Sequence, residues 1–80
     1  MTTRETVAGI LKEIKPTRDL EGIEDIVEGA YIDSFELMAL ITALSERFGI
    51  EITIDDITPE NFNSIDAIAG MVDKLQKTTD

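Results

Sequence analysis

The length, composition and charge of the chain narrow its fold and function before any motif is considered. Eighty residues and 8.8 kDa leave room for one hydrophobic core, so we expect a single domain over residues 1–80. Seventeen acidic residues against seven basic ones give a net charge of −10, which argues against a nucleic-acid partner and favours partners with basic surfaces. The chain has no cysteine and no histidine, which excludes thiol nucleophiles and removes the commonest general base and metal ligand.

Nothing in the sequence predicts a membrane protein. No apolar run approaches the roughly 18 residues that a transmembrane helix needs, and the first residues lead into no apolar signal segment. We therefore expect a cytoplasmic, monomeric protein without a membrane span.

The first predicted element is a helix over about residues 3–15. Thr2 and Glu5 fit a capping box at its start, and Pro16 ends it. A long connection over residues 17–33 follows, in which apolar residues recur, so we expect it to pack on the rest of the fold. The helix shows an apolar stripe at i, i+3, i+4 and i+7, formed by Val7, Ile10, Leu11 and Ile14.

The second half of the chain predicts two more main helices and one short one. A second helix covers about residues 34–48 and ends at Gly49. Isoleucines alternate with other residues over 50–54, but no second run exists to pair with it as a strand, so we expect an extended segment with its isoleucines in the core. A short helix is expected over 59–62. Asn63 or Ser64 then caps a last helix with a stripe formed by Ile65, Ile68, Ala69, Val72 and Leu75. The predicted fold class is therefore all-α, a small four-helix bundle with a long first connection.

The second helix carries apolar residues on both of its sides. One side is a core stripe of Leu37, Leu40, Ile41, Leu44 and Phe48. The opposite side, where a surface helix is normally polar, holds Phe35, Met38, Ala39 and Thr42. Either the 17–33 connection folds over that side, or it is a docking face for another protein.

The charge is concentrated in the middle of the chain. Residues 19–66 hold thirteen acidic residues and one basic residue, Arg47, which gives this stretch a net charge of −12. Such a charge is more than solubility requires, and it favours electrostatic steering of a basic partner.

Asp33 and Ser34 open the second helix. Taken alone they indicate helix capping, with Asp33 or Ser34 as the N-cap and Glu36 completing a capping box. The residues around them add a resemblance. The segment from Gly29 to Leu37, Gly-Ala-Tyr-Ile-Asp-Ser-Phe-Glu-Leu, followed by an amphipathic helix that ends in Glu-Arg-Phe and then Glu-Ile, resembles the acyl and peptidyl carrier protein family. The short helix and the last helix fall where that family has its third and fourth helices, so the resemblance covers essentially the whole chain.

The resemblance implies a carrier protein and not an enzyme. Ser34 is similar to the serine to which a phosphopantetheinyl transferase attaches 4′-phosphopantetheine from coenzyme A, and Asp33 is similar to the acid of that motif. The arm would hold acyl or aminoacyl groups as a thioester for a lipid, polyketide, nonribosomal peptide or aminoacyl-transfer pathway. The implied partners are the transferase, a loading ligase, and downstream synthases or transferases with basic docking surfaces. The positions that match partner contacts in the family are Phe35, Glu36, Met38, Ala39, Thr42 and Glu46.

Two details make the chain more similar to a specialised acyl or aminoacyl carrier than to the primary fatty acid carrier. The motif reads Ser-Phe-Glu where that carrier has Ser-Leu-Asp, and Arg47 interrupts a run that is usually acidic. Two other functions stay open: an unmodified acidic helical adaptor that recruits basic proteins, and a small carboxylate enzyme or cation binder. The second has little support, because Asp55 and Asp56 are too isolated to form a calcium loop, and we expect no metal site.

Overall fold

Residues 2–78 are the part of the chain that the computed structural model describes, and their regular structure is entirely helical. They contain four α-helices, one short 3₁₀ turn and no β-strand. This confirms the predicted all-α bundle of three main helices and one short helix. The elements are α1 (Thr3–Ile14), α2 (Ser34–Phe48), the 3₁₀ turn (Ile54–Asp56), α3 (Pro59–Phe62) and α4 (Ile65–Thr78).

The hydrophobic core lies between the three long helices. Helix α1 packs against both α2 and α4, and α3 covers part of α4. The predicted stripes supply most of this core, because apolar residues spaced three and four apart share one face of a helix. The fully buried side chains include Val7, Leu11, Leu40, Leu44, Phe62, Ile68 and Val72.

The helix ends follow the local sequence. At the start of α1 the Thr2 hydroxyl accepts a hydrogen bond from the Glu5 backbone, and the Glu5 carboxylate accepts one from the Thr2 backbone, at 3.1 and 2.9 Å. The pKa of Glu5 is lowered, first by the hydrogen bond from the Thr2 backbone to its carboxylate and second by the interaction of that carboxylate with the Thr2 side chain. Gly49 ends α2 in the left-handed conformation, with a φ of 64° that glycine tolerates best. Of the two predicted caps of α4, Ser64 is the one used, because its hydroxyl accepts from the Ala67 backbone at 3.0 Å.

The connection between α1 and α2 packs on the bundle, as predicted. It buries Leu20, Ile26 and Ile32. Its second half is fastened to the α3–α4 junction by Asn63, whose side-chain oxygen accepts hydrogen bonds from the backbone N–H groups of Val27 and Glu28 at 3.0 and 3.1 Å. The backbone oxygen of Asn63 accepts a third bond, from Ile26 at 2.9 Å. The route into α2 is therefore held in place.

The expectation that residues 50–54 put all their isoleucines into the core is wrong for Ile54. Ile50 is buried and Ile52 half-buried, but Ile54 is 84% exposed. The cause is local: the Asp56 carboxylate accepts hydrogen bonds from the backbone and the hydroxyl of Thr53, which turns the chain into the 3₁₀ turn. A helical turn breaks the two-residue alternation of an extended chain, so the third isoleucine points outward.

Candidate functional site

Ser34 is the first residue of α2 and is exposed to solvent. Within residues 2–78 its hydroxyl makes no hydrogen bond. The first backbone N–H groups of a helix have no partner inside the helix and carry a partial positive charge, which favours a negative group at this end. The hydroxyl is thus free for chemistry and lies where a phosphate is stabilised.

Asp33, rather than Ser34, caps the helix. Its carboxylate accepts a hydrogen bond from the Glu36 backbone at 2.7 Å, and the Glu36 carboxylate accepts one from the Asp33 backbone at 2.9 Å. The predicted capping box is therefore present. Asp33 and Glu36 make the capping hydrogen bonds, so the Ser34 hydroxyl between them in the sequence takes no part in holding the helix start.

A depression beside Ser34 is walled mainly by the connection. It is lined by Val27, Ala30, Ile32, Asp33, Ser34 and Leu37. Ala30 adopts a left-handed backbone conformation, with φ of 58°, which is uncommon for a residue with a side chain. The preceding residue, Gly29, has no room for a side chain, because a Cβ there would lie 2.7 Å from the backbone oxygen of Asp25 and would displace its neighbours. This tight turn brings the chain to Asp33.

The outer side of α2 is uncovered. Phe35 is 83% exposed and Met38 59% exposed, which is unusual for large apolar side chains. Thr42 and Glu46 are exposed and Ala39 is half-buried. The alternative in which the connection folds over this side is wrong, since Phe35 and Met38 would then be buried. Together these residues line a shallow, mostly apolar groove that we call the α2 groove: Phe35, Met38, Ala39, Thr42, Ala43 and Glu46.

Glu36 lies apart from the α2 groove. Its side chain is 21% exposed. Its Oε1 forms an ion pair with Nζ of Lys15 at 3.3 Å, in addition to the capping bond. A partner contact by Glu36 stays a prediction, and the structure adds a second role for its carboxylate, in holding the helix start.

Two members of this region were not predicted from the sequence. Ala43 lines the α2 groove, and its only signal is its place two turns after Phe35. Lys15 reaches Glu36 across 21 residues of sequence, and no local pattern marks such a contact.

Other kinds of site find no support in the described residues. Across residues 2–78 no three acidic side chains converge as a metal site would require. None of the helices described there combines the length and the hydropathy needed to cross a membrane.

A small helical fold that presents an exposed serine hydroxyl without a hydrogen bond, at the first residue of a long helix, is suited to carrying an attached group. The comparison with protein families agrees: the model of the family described as the phosphopantetheine attachment site matches residues 2–72. The chain belongs to this family. It is a non-catalytic carrier whose cofactor is covalent 4′-phosphopantetheine, and it interacts with a phosphopantetheinyl transferase and with the enzymes of its pathway. Comparison with curated proteins finds no match.

The residues of this chain fit such a cofactor. Attachment needs a hydroxyl that a transferase can reach, and a phosphodiester needs a site that tolerates its charge. An exposed hydroxyl with no hydrogen bond at a helix N-terminus meets both needs.

Proposed function

We propose that Ser34 is the attachment residue and that the protein carries acyl or aminoacyl groups in a specialised pathway. The observation that carries this proposal is the contrast among the three serines of the chain. Ser34 is exposed and without a hydrogen bond within residues 2–78. Ser45 is half-buried in the middle of α2, and the hydroxyl of Ser64 is occupied in capping α4.

The attachment reaction asks one thing of this chain, which is a positioned hydroxyl. The Ser34 oxygen forms a bond to the phosphorus of the phosphopantetheine phosphate in coenzyme A, while the bond from that phosphorus to adenosine 3′,5′-bisphosphate breaks. The hydroxyl proton goes to a base of the transferase, because this chain has no histidine and the carboxylates of Asp33 and Glu36 are engaged by the backbone bonds of the capping box. The N–H groups at the start of α2 then stabilise the phosphodiester. Once attached, the arm supplies the thiol that holds the cargo as a thioester.

Partner enzymes meet the carrier at the α2 groove in this proposal. The exposed ring of Phe35 lies beside Ser34 in sequence and offers an aromatic anchor, while Met38 can adapt to several partners. The net charge of −12 over residues 19–66 steers enzymes with basic surfaces toward this face. These are the transferase, a loading ligase, and downstream synthases or transferases of a lipid, polyketide, nonribosomal peptide or aminoacyl-transfer pathway.

Phe35 and Arg47 differ from the residues that the primary fatty acid carrier has at these positions, and this difference supports a specialised acyl or aminoacyl carrier. The further expectations of a single domain over residues 1–80, a monomer and a cytoplasmic location belong to the same proposal.

Mass spectrometry tests the attachment residue. The purified protein is incubated with coenzyme A and a transferase of broad specificity, and its mass should rise by one phosphopantetheine group. Ser34→Ala should abolish the gain, whereas Ser45→Ala, the matched control on the same helix, should retain it. Fragmentation of the modified protein should place the group on the peptide that contains Ser34.

Two results would contradict the proposal. A Ser34→Ala protein that still gains the group would show that another hydroxyl carries it. A wild-type protein that gains nothing, under conditions in which a known carrier is modified, would favour the unmodified acidic adaptor.

A further inference from the structure

A short series of polar contacts joins the end of α1 to the residue before Ser34. Lys15 is the C-cap of α1, and its ammonium lies 3.3 Å from Oε1 of Glu36. The same oxygen accepts the hydrogen bond from the backbone N–H of Asp33 at 2.9 Å. Lys15 and the backbone of Asp33 therefore share one carboxylate oxygen, and Asp33 is bonded directly to Ser34 in the chain.

This ion pair is the best shielded of those in residues 2–78. The side chains of Lys15 and Glu36 are 29% and 21% exposed, whereas Arg4 and its partners Glu21 and Asp66 are between 43% and 77% exposed. Shielded pairs are screened less by water and salt, so the charge of Lys15 acts on Glu36 with less screening than the charge of Arg4 acts on its partners.

The contact also ties two elements that are distant in sequence. Residues 16–33 lie between Lys15 and the start of α2, so the lysine fixes the entry of α2 relative to the end of α1 independently of the path of the connection. It also places a positive charge beside the carboxylate of Glu36, in the first turn of the helix where a further negative charge arrives when a phosphate is attached.

Resting on the proposed attachment at Ser34, we infer that Lys15 and Glu36 are positioning residues for the transfer reaction. Lys15 holds Glu36, and Glu36 fixes the backbone of Asp33, so that the Ser34 hydroxyl is presented to the transferase in one orientation. Neither residue touches the reacting atoms. Their effect is on alignment, because the hydroxyl oxygen must approach the phosphorus in line with the leaving group.

The kinetics of phosphopantetheine transfer test this role, with coenzyme A as the donor. Lys15→Met should lower kcat about two- to fivefold, the range that a partly exposed ion pair supplies, and Lys15→Arg should restore most of it. Lys12→Met is the matched control: it removes the same charge from α1, and Lys12 makes no ion pair within residues 2–78. The KM for the carrier should fall slightly and equally in both Met variants, because each loses one positive charge and attracts a basic transferase more strongly, whatever the alignment of Ser34.

A double-mutant cycle and amide exchange make the inference falsifiable even if one variant is unstable. In a Glu36→Ala background, Lys15→Met should have no more effect on kcat than Lys12→Met, since its partner is gone. Exchange of the Asp33 amide in the unmodified protein should become about two- to fivefold faster in Lys15→Met and stay unchanged in Lys12→Met.

Equal effects of the two lysine variants on kcat and on Asp33 exchange, with Ser34 confirmed as the attachment residue, would overturn the positioning role alone. Continued modification of Ser34→Ala would instead overturn the proposed site, and the role of Lys15 with it.

Discussion

Truncation of Phe35 to alanine separates recognition from stability more cleanly than any other change on α2. A phenylalanine side chain covers about 150–250 Å² when it is buried. Phe35 is 83% exposed, so truncation withdraws only about 35 Å² of apolar contact, which is worth about 1 kcal/mol at most. Alanine is also the better helix former by about 0.5 kcal/mol. We therefore expect the free energy of unfolding to fall by about 0.5 kcal/mol.

Recognition should respond far more strongly to the same change. An aromatic anchor that fills a partner pocket is worth about 2 kcal/mol or more, which corresponds to about a thirtyfold loss in kcat/KM for a partner enzyme. Leu44→Ala should show the opposite pattern, because Leu44 is fully buried and such truncations cost about 2.7–5 kcal/mol. Ile54→Ala is a control for exposure, since Ile54 is 84% exposed but lies outside α2.

Denaturant unfolding and transfer kinetics with the phosphopantetheinyl transferase measure both quantities on the three variants. If Phe35→Ala destabilises the protein as much as Leu44→Ala, the ring contributes to the core and the docking role of the α2 groove is refuted. The docking role is equally refuted if Phe35→Ala and Ile54→Ala lower kcat/KM to the same extent.

Three further predictions concern stability and charge. Gly29→Ala should lower the free energy of unfolding by about 1–3 kcal/mol in denaturant titrations, because the new Cβ would lie 2.7 Å from the Asp25 backbone oxygen. Gly70→Ala is the control: a Cβ there meets no atom within 4 Å, so this change in a helix should be neutral or stabilising. Sodium chloride at 0.1–0.2 M, on the order of physiological ionic strength, should raise the Tm and slow association with basic partner enzymes, because it screens a net charge of −10; a Tm that falls would contradict this. Glu5→Gln should destabilise the protein at pH 7 in thermal melts. The difference from wild type should vanish as the pH falls through the lowered pKa of Glu5, because a group whose pKa is depressed in the folded state stabilises the protein only while it is ionised. A difference in Tm that persists at pH 2 would show that the ionised carboxylate is not the source of the stability.

The parts of the site that the sequence predicts correctly are those set by local chemistry and helical periodicity. The box between Asp33 and Glu36 depends on residues three apart, and the exposure of Phe35 follows from its angle to Leu44 on one helix. The parts that it does not predict depend on tertiary contacts or on competing local bonds. Lys15 meets Glu36 only because α1 packs beside α2. Ile54 turns outward because two bonds to Asp56 override the alternating pattern.

Asn63 holds the connection between α1 and α2 on the bundle with a side chain that both accepts and donates hydrogen bonds. Its oxygen accepts from two backbone groups of the connection, while its nitrogen donates to the Glu28 carboxylate at 2.7 Å. A carboxylate of the same shape would keep the first two bonds but would turn the third into a repulsion between like charges. Deamidation of Asn63 to aspartate would therefore weaken the attachment of the connection to the α3–α4 junction, although the side chain keeps its shape. The position of the chain that leads into α2 thus depends on this amide staying intact.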